Sequence, residues 1–138
     1  MSKKVDHIGI AVHSLEKALP LYESLLGTRA ERIEDVAEQK TRVAVLPLGP
    51  GRVELLESME DDSPVARFLA RRGQGLHHVC IQVEDIAAEL QRLRAAGVRL
   101  IDQEPRLGAG GCLIAFIHPE SAAGVLIEIS QAPEKPAP

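Results

Sequence analysis

Leu76–Val83 reads LHHVCIQV, and Val5–Val12, near the start of the chain, reads VDHIGIAV. Both are short runs of aliphatic and β-branched residues, the composition of a buried strand. Each carries a histidine just inside its beginning, His78 in one run and His7 in the other. Side chains alternate along a strand, so His7, Gly9 and Ala11 share one face while Ile8, Ile10 and Val12 share the other. In the second run His78, Cys80 and Gln82 face one way, and Val79, Ile81 and Val83 the other. The bulky faces need a hydrophobic core. The histidine faces carry small residues, as they would if the sheet left room there. Two histidines on matching strands of a duplicated sequence, 71 positions apart, point to one shared site.

The duplication extends outward from these two runs. His13-Ser14 opens a helix over Leu15–Leu26, with Ser14 as its cap and Gly27 as a left-handed stop; Pro20 inside it invites a kink. Strand-like runs follow at Arg29–Val36, Thr41–Leu48 and Arg52–Glu57. The last two are joined by Leu48-Gly49-Pro50-Gly51, a hairpin whose turn type these residues leave open. Asp62-Ser63-Pro64 starts a short helix to about Arg72, and Arg72-Gly73-Gln74-Gly75 reads as a linker. The plan then repeats: a strand at His77–Val83, a helix from Ile86 to Ala96 capped by Asp85, and strand-like runs at Arg99–Ile101, Cys112–His118 and Gly124–Ser130. A single domain over 1–138 is expected, with one module at about 5–58, a connecting helix and linker at 63–75, a second module at 76–131 and a disordered tail at 132–138. Strand, helix, three strands, twice over, predicts an α+β fold.

Composition narrows the function. The chain is 26% charged with a net charge of −4, so it offers no basic field for nucleic acid. Arg67, Arg71 and Arg72 cluster on one segment, which reads as a solvated helix face or as a contact for a phosphate-bearing small molecule. No apolar run reaches the ~20 residues that span a bilayer, and the N-terminal residues do not make a signal peptide. Cys80 and Cys112 both lie in strand-like runs, which points to buried reduced thiols and a cytoplasmic setting.

The last strand of each half offers a carboxylate. Glu54 sits in VELL and Glu128 in LIEI, each within an otherwise apolar run, where an unpartnered charge is very costly. Glu54 follows His7 by 47 residues and Glu128 follows His78 by 50. A lone strand histidine or glutamate is ordinarily structural, but a matched set of two and two is the donor set of a metal. Two imidazoles and two carboxylates suit a six-coordinate divalent ion such as Co, Ni, Mn, Fe or Zn, with positions left open for substrate or water. His77 has the wrong parity to join His78, and His13, His77 and His118 read as structural or surface residues.

The residues DHIGIAV, LEKALPLYESLLG, VELLE, LHHVCIQV and GVLIEI resemble the vicinal oxygen chelate, or glyoxalase-type, superfamily. More narrowly, EDDSPVARFLARRGQGLHHVCIQVEDI, RLIDQEPRLGAGG and IAFIHPESAAGVLIEI are similar to the methylmalonyl-CoA epimerase family, over roughly residues 5–131. The resemblance implies two βαβββ modules forming a cup-shaped mixed sheet around one metal ion. It places the ligands at His7, Glu54, His78 and Glu128, with Glu54 standing where some relatives carry glutamine, and the metal as cobalt. It implies interconversion of (R)- and (S)-methylmalonyl-CoA in propionyl-CoA metabolism, by α-proton abstraction and reprotonation through a metal-stabilised enolate. Glu128 matches the base. A second glutamate serves some relatives at the position of Val43, a departure that leaves the second acid unassigned. Gly110 and Gly111 offer backbone N–H groups to the substrate, or form a tight turn. The implied partners are an acyl-CoA substrate and a second copy of the chain, with no nucleic acid or membrane. Two other readings compete: a glyoxalase I-type lactoylglutathione lyase, and a metal-free small-molecule-binding protein of the same fold.

Overall fold

The computed structural model describes residues 3–134, so the last four positions of the expected disordered tail lie outside the described residues. The elements run β1 (Lys4–Ala11), α1 (Leu15–Leu26), β2 (Arg32–Val36), β3 (Thr41–Leu48), β4 (Gly51–Ser58), α2 (Pro64–Arg72), β5 (Gly75–Gln82), α3 (Ile86–Ala95), β6 (Arg106–Leu107), β7 (Leu113–Ile117) and β8 (Ile127–Gln131). With α2 as the connection, this is βαβββ twice, and the α+β expectation holds.

The chain forms two compact units, one spanning Asp6–His78 and the other made of the described residues on either side of it. In the first, the strands are ordered β2-β3-β4-β1. β1 lies parallel to β4, and β3 is antiparallel to β4 and to β2. Parallel neighbours need a crossover, and α1 begins it. The helix covers the face carrying Ile8 and Ile10, which pack with Val12, Leu15, Ala44, Leu46, Val53 and Leu55 into one core. The alternation in the sequence therefore sends the apolar side of β1 to the core and the histidine side away from it. Pro20 leaves α1 unbroken over its 12 residues, and Gly27 closes it at φ 67. Gly49 at φ 57 with Pro50 behind it settles the β3–β4 hairpin: Leu48 pairs Gly51 across two residues, and proline holds the second at negative φ, the II′ arrangement.

The second unit repeats the plan with the order β5-β8-β7-β6. β5 is parallel to β8, and β7 is antiparallel to β8 and to β6. Its core joins Ile81, Val83, Ile86, Leu90, Leu100, Ala115, Ile117 and Ile129. Helix entry is fixed in the same way in both units. The Leu15 N–H donates to Glu57 Oε1 at 3.0 Å, and the Ile86 N–H to Gln131 Oε1 at 2.9 Å. One expected strand is corrected. Arg99–Ile101 contributes only a bridge between Leu100 and Ile117, and β6 forms later, at Arg106–Leu107. The Phe116 N–H donates to Asp102 Oδ2 at 2.8 Å, so a side chain takes the ladder bond that would have extended the strand.

Candidate metal centre

Register decides what faces what. In the first unit β1 pairs β4 with Gly9 opposite Glu54 and His7 opposite Arg52, so His7 and Glu54 lie two positions apart on one face. Their side chains meet: His7 Nε2 is 3.4 Å from Glu54 Oε1. His78, at the beginning of β5, brings its Nε2 to 3.1 Å from His7 Nε2. All three are buried, with 5–7% of each residue exposed. Two imidazole nitrogens and a carboxylate oxygen thus converge in a space with little water to solvate them. Buried lone pairs pointing at one another suit a cation, and nitrogen and carboxylate donors suit a first-row divalent metal.

The far nitrogens are also held. His7 Nδ1 lies 2.8 Å from Asp6 Oδ2, and Arg52 donates from Nη2 to Asp6 Oδ1 at 2.7 Å and to Oδ2 at 2.6 Å. Burial works to raise the Asp6 carboxyl, but the His7 hydrogen bond and the Arg52 charge outweigh it and hold the group below its ordinary value. An ionised Asp6 only accepts, so the proton of this contact sits on His7 Nδ1. His78 Nδ1 is 2.9 Å from His77 Nδ1, and the His77 ring rests edge-on against Phe68 of α2, centroids 5.0 Å apart. Asp6, Arg52 and His77 were missed by a reading built on strand parity. The available signal was position: Asp6 and His77 each immediately precede a histidine of the repeat.

Glu128 lies in the second unit, 5% exposed, opposite Cys80 on β5 and Phe116 on β7. Glu54 has the same register, opposite Gly9 on β1 and Val45 on β3. Gly9 and Cys80 are themselves equivalent in the repeat, so the two carboxylates occupy matching positions within their own units. Val43 is fully packed, two residues before Val45 and therefore on the Glu54 face of the sheet. Gly110 and Gly111 form the turn between β6 and β7, both at positive φ. His118 accepts the Glu120 N–H at 3.0 Å and caps a short turn, while His13 stands at the β1–α1 junction, its backbone N–H bonded to Gln74. Cys80 and Cys112 are both thiols, and Cys80 donates to Ser130 Oγ at 3.3 Å.

A duplicated βαβββ chain with a histidine pair and a carboxylate buried on its strands defines a class. The chain belongs to the glyoxalase/bleomycin resistance protein/dioxygenase superfamily, whose model matches residues 6–116. Within that superfamily its named relatives at 33–36% identity are methylmalonyl-CoA epimerases, and lactoylglutathione lyases match at 25–26%. It is 36% identical to the ethylmalonyl-CoA/methylmalonyl-CoA epimerase of Cereibacter sphaeroides, over 95% of this chain and 99% of that one. It is 44% identical to an uncharacterized protein of Bacillus subtilis strain 168, over 93% and 91% of the two chains. A Streptomyces coelicolor methylmalonyl-CoA epimerase variant, solved in complex with 2-nitronate-propionyl-CoA, matches with a TM-score of 0.91 at 35% identity, covering 98% of each chain.

Proposed function

We propose that this protein interconverts (R)- and (S)-methylmalonyl-CoA, in propionyl-CoA metabolism, with one divalent metal ion, cobalt first among Ni, Mn, Zn and Fe. The observation that carries the reading is the buried convergence of His7, His78 and Glu54 in a chain 36% identical to named epimerases. Glu128 is assigned as the fourth ligand because it holds in β8 the register that Glu54 holds in β4. A divalent ion held by these residues would supply Lewis acidity, lowering the cost of negative charge on the substrate's oxygens.

The chain's own groups move the proton. The α-carbon of methylmalonyl-CoA lies between a thioester and a carboxylate, so its C–H bond can break with the electron pair delocalised into the thioester. Glu128 takes that proton, as the carboxylate matching the base of related epimerases. Return of a proton to the opposite face inverts the centre. Val43 carries no proton, so a group other than a residue-43 carboxylate, such as an ordered water, serves that face. The N–H groups of Gly110 and Gly111 are assigned to hold a substrate oxygen. The site residues sit in a protein expected to work in the cytoplasm as a homodimer. Among the described residues no helix is long and apolar enough to cross a membrane.

The test is proton NMR of methylmalonyl-CoA with metal-loaded protein in D₂O. Loss of the α-proton signal supports the reading. No exchange, with turnover of methylglyoxal and glutathione instead, would replace it with the lactoylglutathione lyase. Purified protein that takes up no metal and still binds a small molecule would make it a binding protein of the same fold.

A further inference from the structure

The sequence repeat that pairs His7 with His78 also pairs the residues before them, Asp6 with His77, and in the structure each of these meets the Nδ1 of its histidine. We propose that Asp6 and His77 are positioning residues that hold the two histidines by Nδ1 so that both Nε2 atoms point at the metal, with Asp6, braced by Arg52, making His7 the stronger ligand. The inference rests on the metal reading above and adds to it which groups outside the ligand set determine affinity.

A histidine that binds metal through Nε2 carries its proton on Nδ1, and an acceptor for that proton fixes both tautomer and ring rotation. For His7 the acceptor is a carboxylate, 2.8 Å away, whose own position is set by two contacts with Arg52. Arg52 is there because β1 pairs β4 with His7 opposite Arg52. A carboxylate acceptor pushes electron density onto the imidazole and raises its basicity. For His78 the facing atom is an imidazole nitrogen, His77 Nδ1, 2.9 Å away in a ring packed against Phe68. With a metal on His78 Nε2, His78 Nδ1 would carry the proton, and His77 Nδ1 is the atom placed to accept it. The ligands of the repeat are alike, but their supports are not. One is a carboxylate braced by an arginine, the other an imidazole packed on a phenyl ring.

Cobalt(II) affinity, measured by chelator competition and by the visible absorption of the bound ion, tests this, with thermal unfolding of the metal-free proteins run alongside. Loss of an outer partner typically weakens a metal site about 10–100-fold. Asp6→Ala is expected in that range, and Asp6→Asn, which keeps an acceptor but not the charge, between it and the wild type. His77→Phe keeps a ring against Phe68 but removes the acceptor; it is expected to weaken binding less than Asp6→Ala and to shift the absorption bands. Asp6→Ala and His77→Phe proteins that fold and bind cobalt as the wild type does would overturn the inference and leave the metal reading standing. A wild type that binds no cobalt would overturn both.

Discussion

The imidazole of His78 occupies the space that a side chain at position 9 would need. A Cβ built on Gly9 would lie 2.6 Å from His78 Nδ1 and 2.8 Å from Nε2, closer than unbonded atoms approach. Gly9 does not have a left-handed backbone, so its role is this clearance and not its conformational freedom. Gly9→Ala is therefore expected to fold, since alanine suits a strand, while turning the His78 ring off its present line. Metal affinity should fall by at least about 10-fold, as for loss of an orienting contact. Unchanged affinity, by the same chelator competition, would mean that the ring can tilt without consequence.

Removing both histidines removes the nitrogen donors altogether. The His7→Ala/His78→Ala protein should purify with essentially no divalent metal by elemental analysis, and the wild type should lose activity in a strong chelator and regain it on adding cobalt. Full metal content in the double variant would put the site elsewhere.

Glu128→Gln keeps an oxygen for the metal but cannot take a proton. Turnover should drop about 10²–10⁴-fold, the usual cost of losing an acid–base group. Metal should be retained in part. Near-normal epimerisation with metal bound would transfer the role of base to Glu54.

Val43 faces the Glu54 side of the sheet, and the proposed reaction asks for an acid on the opposite face of the substrate. Comparing Val43→Glu with Val43→Gln separates proton transfer from bulk, because the two side chains have nearly the same shape. Epimerisation should be faster in the glutamate variant by roughly 10²-fold or more, the low end of what an acid–base group contributes. Equal rates would show that position 43 does not reach the substrate.

Leu55 is fully buried between β4 and α1, in the core that backs the histidine strand. Leu55→Ala should destabilise the metal-free protein by about 2–5 kcal/mol, the range for a leucine-sized cavity. Urea unfolding measures it. A loss below about 1 kcal/mol would mean that α1 closes onto the gap.

Much of this was legible in the sequence because two periodicities are simple. Alternation along VDHIGIAV and LHHVCIQV fixes which residues meet the core, and the structure packs the half-buried Ile8 and Ile10 against one core and the half-buried Ile81 with the buried Val83 against the other accordingly. Helix ends followed from capping chemistry, with Ser14, Ser63 and Asp85 each accepting a first-turn N–H. Arg99–Ile101 misled because its apolar character belongs to a core contact through Leu100, while its ladder is cut short by Asp102.

The sequence by itself determined the repeat, every helix, most of the strands and the four residues proposed as ligands, since each depends on local periodicity or on spacing between equivalent strands. Only the tertiary structure decided how the histidines are held. Parity separates His77 from His78 at Cβ, but it says nothing about how far two rings can turn, and they turn to meet at 2.9 Å. Arg52 and Asp6 are 46 residues apart in the chain and come together only because β1 and β4 pair in one register. Direction along a strand is a local property. Contact between strands depends on the register, and no single stretch of the sequence contains it.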